Sequence, residues 1–222
     1  LCGYAILPTQ FHFRHYNIEN GILSNNISSI LQDQKGFIWI GTDNGLSRFD
    51  GNQFTFYQKS NPLYSGLHAN SINTICETNT NGLWIGTENG VYIYNQVQDT
   101  FTPFTKKTSN NIKISSWINY IIQDKEKNIW IATRKQGVFQ YNTQTGKLIQ
   151  YEIPENSNII IRLLNDEQNN IWASGPYHLC RLNKVTNKFK IFQIENESTG
   201  VYSMALWEDS SHQLWIGTWE KG

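Results

Sequence analysis

The amino-acid sequence predicts an all-β fold, and three observations support that prediction. Gly, Asn and Thr interrupt the chain about every ten residues, while β-branched and aromatic residues dominate between them. Aromatic residues make up 14% of the chain and charged residues only 16%, which is typical of short strands joined by tight polar turns. A tryptophan recurs at a nearly constant interval, which indicates that one structural unit is repeated.

The repeated tryptophan defines five units. It stands in the strings FIWIGT, GLWIGT, NIWIAT, NIWASG and QLWIGT, with gaps of 45, 46, 42 and 43 residues between copies. The copies are Trp39, Trp84, Trp130, Trp172 and Trp215. A unit of this length that holds four strands is the signature of a β-propeller blade, because one small sheet cannot bury both of its faces alone.

Each complete unit reads as four strands. An apolar strand such as SINTICET precedes the tryptophan strand, a strand such as VYIYN follows it, and the fourth strand carries aromatic residues three apart, such as Phe54 and Tyr57. We therefore predict four-stranded antiparallel blades of about 42–46 residues. The predicted blades cover residues 25–57, 70–104, 116–151, 158–192 and, in part, 201–222.

The start of the chain carries two further expectations. Residues 1–10 are apolar and uncharged at their beginning, and we interpret them as the remnant of a secretory signal peptide. Residues 11–16 have the pattern of a fourth strand without a preceding unit, so we predict a strand that closes the last blade of the ring. The chain would then hold a closing strand, four blades and half of a fifth, which makes the propeller incomplete.

Composition excludes some classes of function. The chain has 18 basic and 18 acidic residues and no basic tract, so no nucleic-acid partner is expected. Its three cysteines and five histidines have no partners at metal-binding spacing. We therefore expect no metal site and no cofactor.

An aspartate stands six residues before the tryptophan in four of the five units. These residues are Asp33, Asp124, Asp166 and Asp209. A short carboxylate there can accept hydrogen bonds from the amides of its own turn, and the spacing resembles the Asp-box hairpin of sialidases. Because an active site needs its acid once and not once in each blade, we expect the repeated aspartates and tryptophans to be structural, with the indoles packed between sheets.

Residues 21–51, GILSNNISSILQDQKGFIWIGTDNGLSRFDG, resemble the two-component regulator propeller repeat. The resemblance implies seven-bladed propellers, usually two in tandem, in the periplasmic sensor of an inner-membrane hybrid histidine kinase. It also implies a glycan-derived oligosaccharide as ligand, control of polysaccharide-utilisation genes, and contacts with the remaining blades, a second propeller or a second receptor copy. This segment has no kinase motif, so we expect it not to be an enzyme.

Turn positions that vary between blades are better candidates for ligand binding than the repeated ones. The residue after the Gly-Thr turn changes from blade to blade, and aromatic residues stand nearby. Aromatic faces stack on sugars, while amide, carboxylate and guanidinium groups bond hydroxyls. The six candidates are Asp43, Glu88, Trp117, Arg134, Tyr177 and Trp219.

Three other interpretations stay open at this stage. A propeller glycoside hydrolase or polysaccharide lyase needs convergent carboxylates, for which Asp43 and Glu88 are the pair to examine. A protein-interaction scaffold predicts a broad exposed apolar patch instead. The six candidates would also be present as ordinary loop tips, packing aromatics or contacts to a second propeller.

Overall fold

The computed structural model describes residues 13–60, 66–79, 82–154, 158–176, 178–193 and 203–219. Within these ranges the chain is built of β-strands, with one short 3-10 helix at Ile18–Asn20. Four sheets of four strands and one sheet of two strands follow one another along the chain. Across the described ranges, no helix has the length and apolar character needed to cross a membrane.

Each sheet corresponds to one repeat unit. The first contains β1 (Ile27–Gln32), β2 (Ile38–Thr42), β3 (Gly45–Phe49) and β4 (Phe54–Tyr57). The second contains β5 (Ile72–Thr78), β6 (Gly82–Thr87), β7 (Gly90–Asn95) and β8 (Thr100–Pro103). The third contains β9 (Ile118–Gln123), β10 (Ile129–Thr133), β11 (Val138–Tyr141) and β12 (Leu148–Tyr151). The fourth and fifth contain β13 (Arg162–Asn165), β14 (Ile171–Gly175), β15 (His178–Asn183), β16 (Lys188–Gln193), β17 (Ser203–Glu208) and β18 (Leu214–Thr218).

The sheets are arranged as the blades of a propeller. Every strand pairs antiparallel with the next strand of its own sheet. The first strands of successive sheets lie against one another, β1 against β5, β5 against β9, β9 against β13 and β13 against β17. The first strands therefore lie at the centre and the fourth strands at the outer edge. The prediction of an all-β propeller with four-stranded antiparallel blades is confirmed.

The hydrophobic core lies between blades. Trp39 is fully buried, and its ring centroid lies 4.9 Å from that of Tyr94 in the second blade. Trp84 lies 5.8 Å from Tyr141 of the third blade in the same way. These two indoles thus fill the space between their own sheet and the next, which is why a single blade does not form a core by itself.

The residue two positions after the tryptophan must be small because the next blade approaches it closely. A Cβ added to Gly41 would lie 2.8 Å from Ile72 of the second blade, and one added to Gly86 would lie 2.7 Å from Ile118 of the third. The sequence suggests that the glycine makes room for the next blade's backbone. The structure corrects this, because the group that fills the space is an isoleucine side chain.

Two sets of hydrogen bonds connect neighbouring blades. In the first set, side chains near the start of the first strands donate to a backbone carbonyl of the next blade. The pairs are Ser28 to Ile72, Asn73 to Ile118 and Asn119 to Ile160. In the second set, backbone N–H groups after the first strands donate to side chains of the next blade. The pairs are Gln34 to Glu77, Asn79 to Gln123, Lys125 to Asn165 and Glu167 to Glu208.

The start of the described chain lies at the outer edge of the first blade. Residues 13–17 form no strand there, and the Tyr16 ring lies 5.2 Å from Phe49 and 5.4 Å from Phe54. The role of residues 11–16 as a closing strand stays a prediction. Residues 1–10, interpreted as a signal-peptide remnant, lie outside the described residues.

The first and fifth blades expose apolar surface that the inner blades bury. Trp215 is 57% exposed, whereas the equivalent Trp130 is 2% exposed, and Trp207 and Ile30 are 60% and 63% exposed. We expect a polypeptide ending at residue 222 to self-associate through these faces, since such patches and open sheet edges promote association. Size-exclusion chromatography with light scattering measures this. A monomer with one sharp, cooperative melting transition would contradict the expectation.

Candidate functional site

The repeated aspartates bind the repeated tryptophans. One carboxylate oxygen of Asp33 accepts from the N–H groups of Lys35 at 3.0 Å and Phe37 at 2.9 Å. The other oxygen accepts from the indole N–H of Trp39 at 2.8 Å. The same indole contact occurs in three other units, as Trp130 to Asp124, Trp172 to Asp166 and Trp215 to Asp209.

In every unit that contains one, the aspartate therefore has a structural role, because it holds the indole of the tryptophan strand. The bonds from the turn amides follow the sequence expectation. The indole contact was missed, although the constant spacing of six residues was a signal for it. The second unit lacks the carboxylate, and there the Thr78 hydroxyl donates to the Gly82 carbonyl at 3.3 Å.

A cavity of about 550 Å³ lies where the first strands of the blades converge. Ser28 of β1, Asn73 of β5, Asn119 of β9, Arg162 of β13 and Met204 of β17 all line it. Its other lining residues are Trp117, Arg134, Ile159, Ile161 and Pro176. A volume of this size is in the range that small-molecule sites use, about 300–1,000 Å³. We call this space the channel cavity.

Two of the six residues predicted from the sequence meet in the channel cavity. The Arg134 guanidinium carbon lies 5.6 Å from the centroid of the Trp117 ring, and the backbone N–H of Arg134 donates to the Trp117 carbonyl at 2.9 Å. Trp117 is half-buried and Arg134 is exposed. The cation–π contact orients the guanidinium and leaves its N–H groups directed at neither a carboxylate nor a backbone carbonyl among the described contacts.

Asp43 and Glu88 lie outside the lining of the cavity. Asp43 accepts from the Asn26 amide at 2.8 Å, and hydrogen bonds from Ser24 and Asn26 hold the pKa of this carboxyl below its usual value. Glu88 accepts from the Asn70 N–H at 3.1 Å. Each of these carboxylates is thus bonded to the connection that enters its own blade.

Of the remaining two candidates, the structure describes only Trp219. Trp219 is 61% exposed and is absent from the cavity lining. Tyr177 lies outside the described residues. The assignment of all six residues to ligand binding stays a prediction.

Sequence reasoning missed four polar residues of the cavity, Ser28, Asn73, Asn119 and Arg162. Ser28, Asn73 and Asn119 each directly follow an isoleucine at the same place in their unit, which was the available signal. Arg162 lies with its guanidinium carbon 5.0 Å from the centroid of the Tyr120 ring and donates to the Ile161 carbonyl at 3.1 Å. In the part of the chain that the structure describes, no group of three His, Cys, Asp or Glu residues could hold a metal ion.

The stacked blades and the cavity at their centre define a β-propeller segment with room for a small ligand. The repeat described as two component regulator propeller matches residues 21–44, 66–89 and 113–135. Three stretches of the chain therefore match the two component regulator propeller repeat. The matched stretches include the tryptophan strand of each of the first three blades.

Comparisons with known proteins agree with this fold. The chain is similar to the extracellular domain of BT4673 from B. thetaiotaomicron, described as a hybrid two component system, with 22% identity and a TM-score of 0.75. That match covers 87% of this chain but only 28% of the other chain. Virginiamycin B lyase from Staphylococcus aureus is similar at 16% identity and a TM-score of 0.64, over 86% of this chain and 62% of the lyase. At these identities both likenesses concern the fold alone.

A curated relative is similar over a short stretch. Histidine kinase P4 of Formosa agariphila is 35% identical over 54 residues, which are 24% of this chain and 4% of that protein. The chain thus spans a small part of the curated relative that it matches.

Proposed function

We propose that this chain is part of the extracytoplasmic sensor region of a hybrid two-component histidine kinase. The family repeats support this assignment, because their three matches cover the tryptophan strands of three blades. The likeness in fold to the extracellular domain of a hybrid two component system and the short match to a histidine kinase point the same way. The proposed location is the periplasm, with the kinase elsewhere in the parent protein.

We propose that the sensor detects a glycan-derived oligosaccharide and controls genes for polysaccharide use. The observation that carries this proposal is the channel cavity, which combines the half-buried indole of Trp117 with the N–H donors of Arg134. An indole provides a flat apolar face for the C–H face of a sugar, and a guanidinium bonds its oxygen atoms.

Binding alone is sufficient for a receptor of this kind. A ligand shifts the balance between two receptor states when it binds one of them more tightly than the other, and no bond has to be broken. The remaining blades, a second propeller and a second receptor copy are the proposed partners in that shift. The proposed segment itself catalyses no reaction.

The experiment is a binding and turnover assay with the full-length protein that contains this chain. A panel of soluble oligosaccharides is titrated by isothermal calorimetry, and the same mixtures are analysed for products by chromatography. We expect binding by at least one oligosaccharide without product. Turnover of any member of the panel would contradict the sensor and would favour the hydrolase or lyase alternative.

Trp117→Ala tests whether the cavity is the place of binding. Loss of the stacked aromatic face is expected to lower the affinity for the oligosaccharide about tenfold. This lies within the roughly 1–3 kcal/mol that removal of a well-placed contact costs. Phe56→Ala is the control, because Phe56 stacks on Phe54 in the outer strand β4, far from the first strands. Equal affinities for Trp117→Ala and the unchanged protein would contradict this site.

A further inference from the structure

We infer that the channel cavity binds an anionic saccharide, whose carboxylate or sulfate group is held by Arg134 and Arg162. The inference rests on the proposed function, because it names the class of oligosaccharide that the same cavity takes. It adds Arg162, a residue that the repeat pattern did not single out.

The first argument is the charge of the cavity. Arg134 and Arg162 both line it, and among the residues that the structure describes no acidic side chain lines it. The ion pairs of the described chain are Arg48 with Asp99, Lys125 with Glu167 and His212 with Glu208. Neither cavity arginine belongs to these pairs, so the described part of the wall carries two positive charges and no carboxylate.

The second argument is the way in which the arginines are held. Arg134 lies over the Trp117 ring at 5.6 Å, and Arg162 lies over the Tyr120 ring at 5.0 Å. Stacking on an aromatic ring fixes the plane of a guanidinium without using its N–H donors. A guanidinium has five such donors, and Arg162 spends one on the Ile161 carbonyl.

The third argument is that the asparagine and serine side chains of the cavity already spend part of their few donors within the protein. The Asn73 amide donates to the Ile118 carbonyl at 2.9 Å, and the Asn119 amide donates to the Ile160 carbonyl at 2.6 Å. The single hydroxyl proton of Ser28 is shared between the Gly41 carbonyl, at 2.9 Å, and the Ile72 carbonyl. The donors left for a ligand therefore come mainly from the two guanidinium groups, whose planar fork matches carboxylate and sulfate oxygens.

The rest of the wall suits a sugar ring. Trp117 is half-buried, and Ile159 and Met204 are 44% and 38% exposed beside it. These side chains offer apolar surface to the C–H face of a sugar, while the arginines bind its charged substituent. A neutral oligosaccharide would use the apolar surface but leave both positive charges uncompensated.

The test uses pairs of saccharides that differ only in charge. The probes are tri-galacturonate, a glucuronate-containing disaccharide and a sulfated disaccharide, each beside its carboxyl-reduced or desulfated counterpart. Calorimetric titration of the full-length protein is expected to show at least tenfold tighter binding of one acidic member than of its neutral counterpart. The pair that shows the difference identifies carboxylate or sulfate as the bound group. Affinity is expected to fall at about 1 M salt, where the Debye length is about 3 Å.

We expect Arg134→Gln and Arg162→Gln each to lower the affinity for the acidic probe about tenfold or more. Each variant should then bind the acidic saccharide and its neutral counterpart with similar affinity. Arg181→Gln is the matched control, because Arg181 of β15 stacks on Trp172 and Phe192 outside the cavity. Circular dichroism checks that each variant is folded.

Three outcomes would overturn the inference. If neutral counterparts bind as tightly as acidic probes, or if the cavity variants keep full affinity, the inference is wrong while the proposed oligosaccharide sensor stands. If Arg181→Gln weakens binding as much as the cavity variants, the anion is held elsewhere. If no saccharide in an extended acidic and neutral panel binds the folded protein, the proposed function fails as well.

Discussion

Replacing Trp130 with alanine is expected to lower the free energy of unfolding by about 3–5 kcal/mol, the usual cost of truncating a large buried aromatic residue. Trp130 is 2% exposed and belongs to a cluster with Tyr151 of its own blade and Ile160 and Leu163 of the next. Its removal opens a void between two sheets whose main contact is this packing. Urea unfolding of the full-length protein followed by circular dichroism measures the change.

Trp130→Phe separates the two contributions of this residue. Phenylalanine keeps most of the packing but loses the indole N–H, which donates to Asp124 at 2.7 Å. The same carboxylate oxygen still accepts a hydrogen bond from the Asn128 amide at 2.9 Å. We therefore expect the free energy of unfolding to fall by only about 1–3 kcal/mol.

A surface variant serves as the control for this series. Val97→Ala changes a side chain that is 95% exposed and should alter stability by no more than about 0.5 kcal/mol. A loss of less than about 1 kcal/mol in Trp130→Ala would contradict the role of the repeated indole in holding blades together.

Adding one methyl group at Gly86 is expected to lower the free energy of unfolding by about 1–3 kcal/mol, the cost of overpacking a filled core. The new Cβ would lie 2.5 Å from Cγ2 of Thr74 and 2.7 Å from Cγ2 of Ile118. Both neighbours are β-branched and have little rotamer freedom, so strand β6 or the third blade has to move. Thermal and urea unfolding of Gly86→Ala measure the loss.

Two further variants make this prediction specific. Thr74→Ser removes Cγ2 of Thr74, the atom that lies nearest to the new Cβ of residue 86. The double variant Gly86→Ala/Thr74→Ser should therefore regain part of the lost stability. The third blade has Ala132 at the equivalent position, fully buried beside Ile160, and there Ala132→Gly should cost about 0.4–1 kcal/mol. Neutral behaviour of Gly86→Ala would show that the blades adjust to the extra methyl group.

The repeat pattern was sufficient to predict the fold. Trp39, Trp84 and Trp130 stand at nearly equal intervals, and a repeated unit with four β-strand patterns has few ways to bury its apolar residues. The structural reading of Asp33 and Trp39 followed from the same repetition, because a feature needed in every blade is rarely a single active site. The repeat pattern did not predict the hydrogen bond from the indole N–H to the carboxylate.

The site was only partly accessible from the sequence. Trp117 and Arg134 were found because they interrupt the repeat at turns, and the structure places both in one cavity. Asp43 and Glu88 occupy comparable turns but bond to Asn26 and Asn70 outside the cavity lining. A position in a repeat thus gives the face of the propeller on which a residue stands, but not the direction of its side chain.

By itself, the sequence determined that the chain forms antiparallel blades, which strands carry the indoles, and where polar turns interrupt them, because these properties depend on local spacing along the chain. The tertiary structure alone decided which of these residues meet. Ser28, Asn73, Asn119 and Arg162 lie on four different first strands, far apart in sequence, and only the stacking of the blades brings them around one cavity. Arg134 and Arg162 likewise meet in that cavity, where no described lining residue is acidic, because of how neighbouring blades pack and not because of a pattern within a single blade.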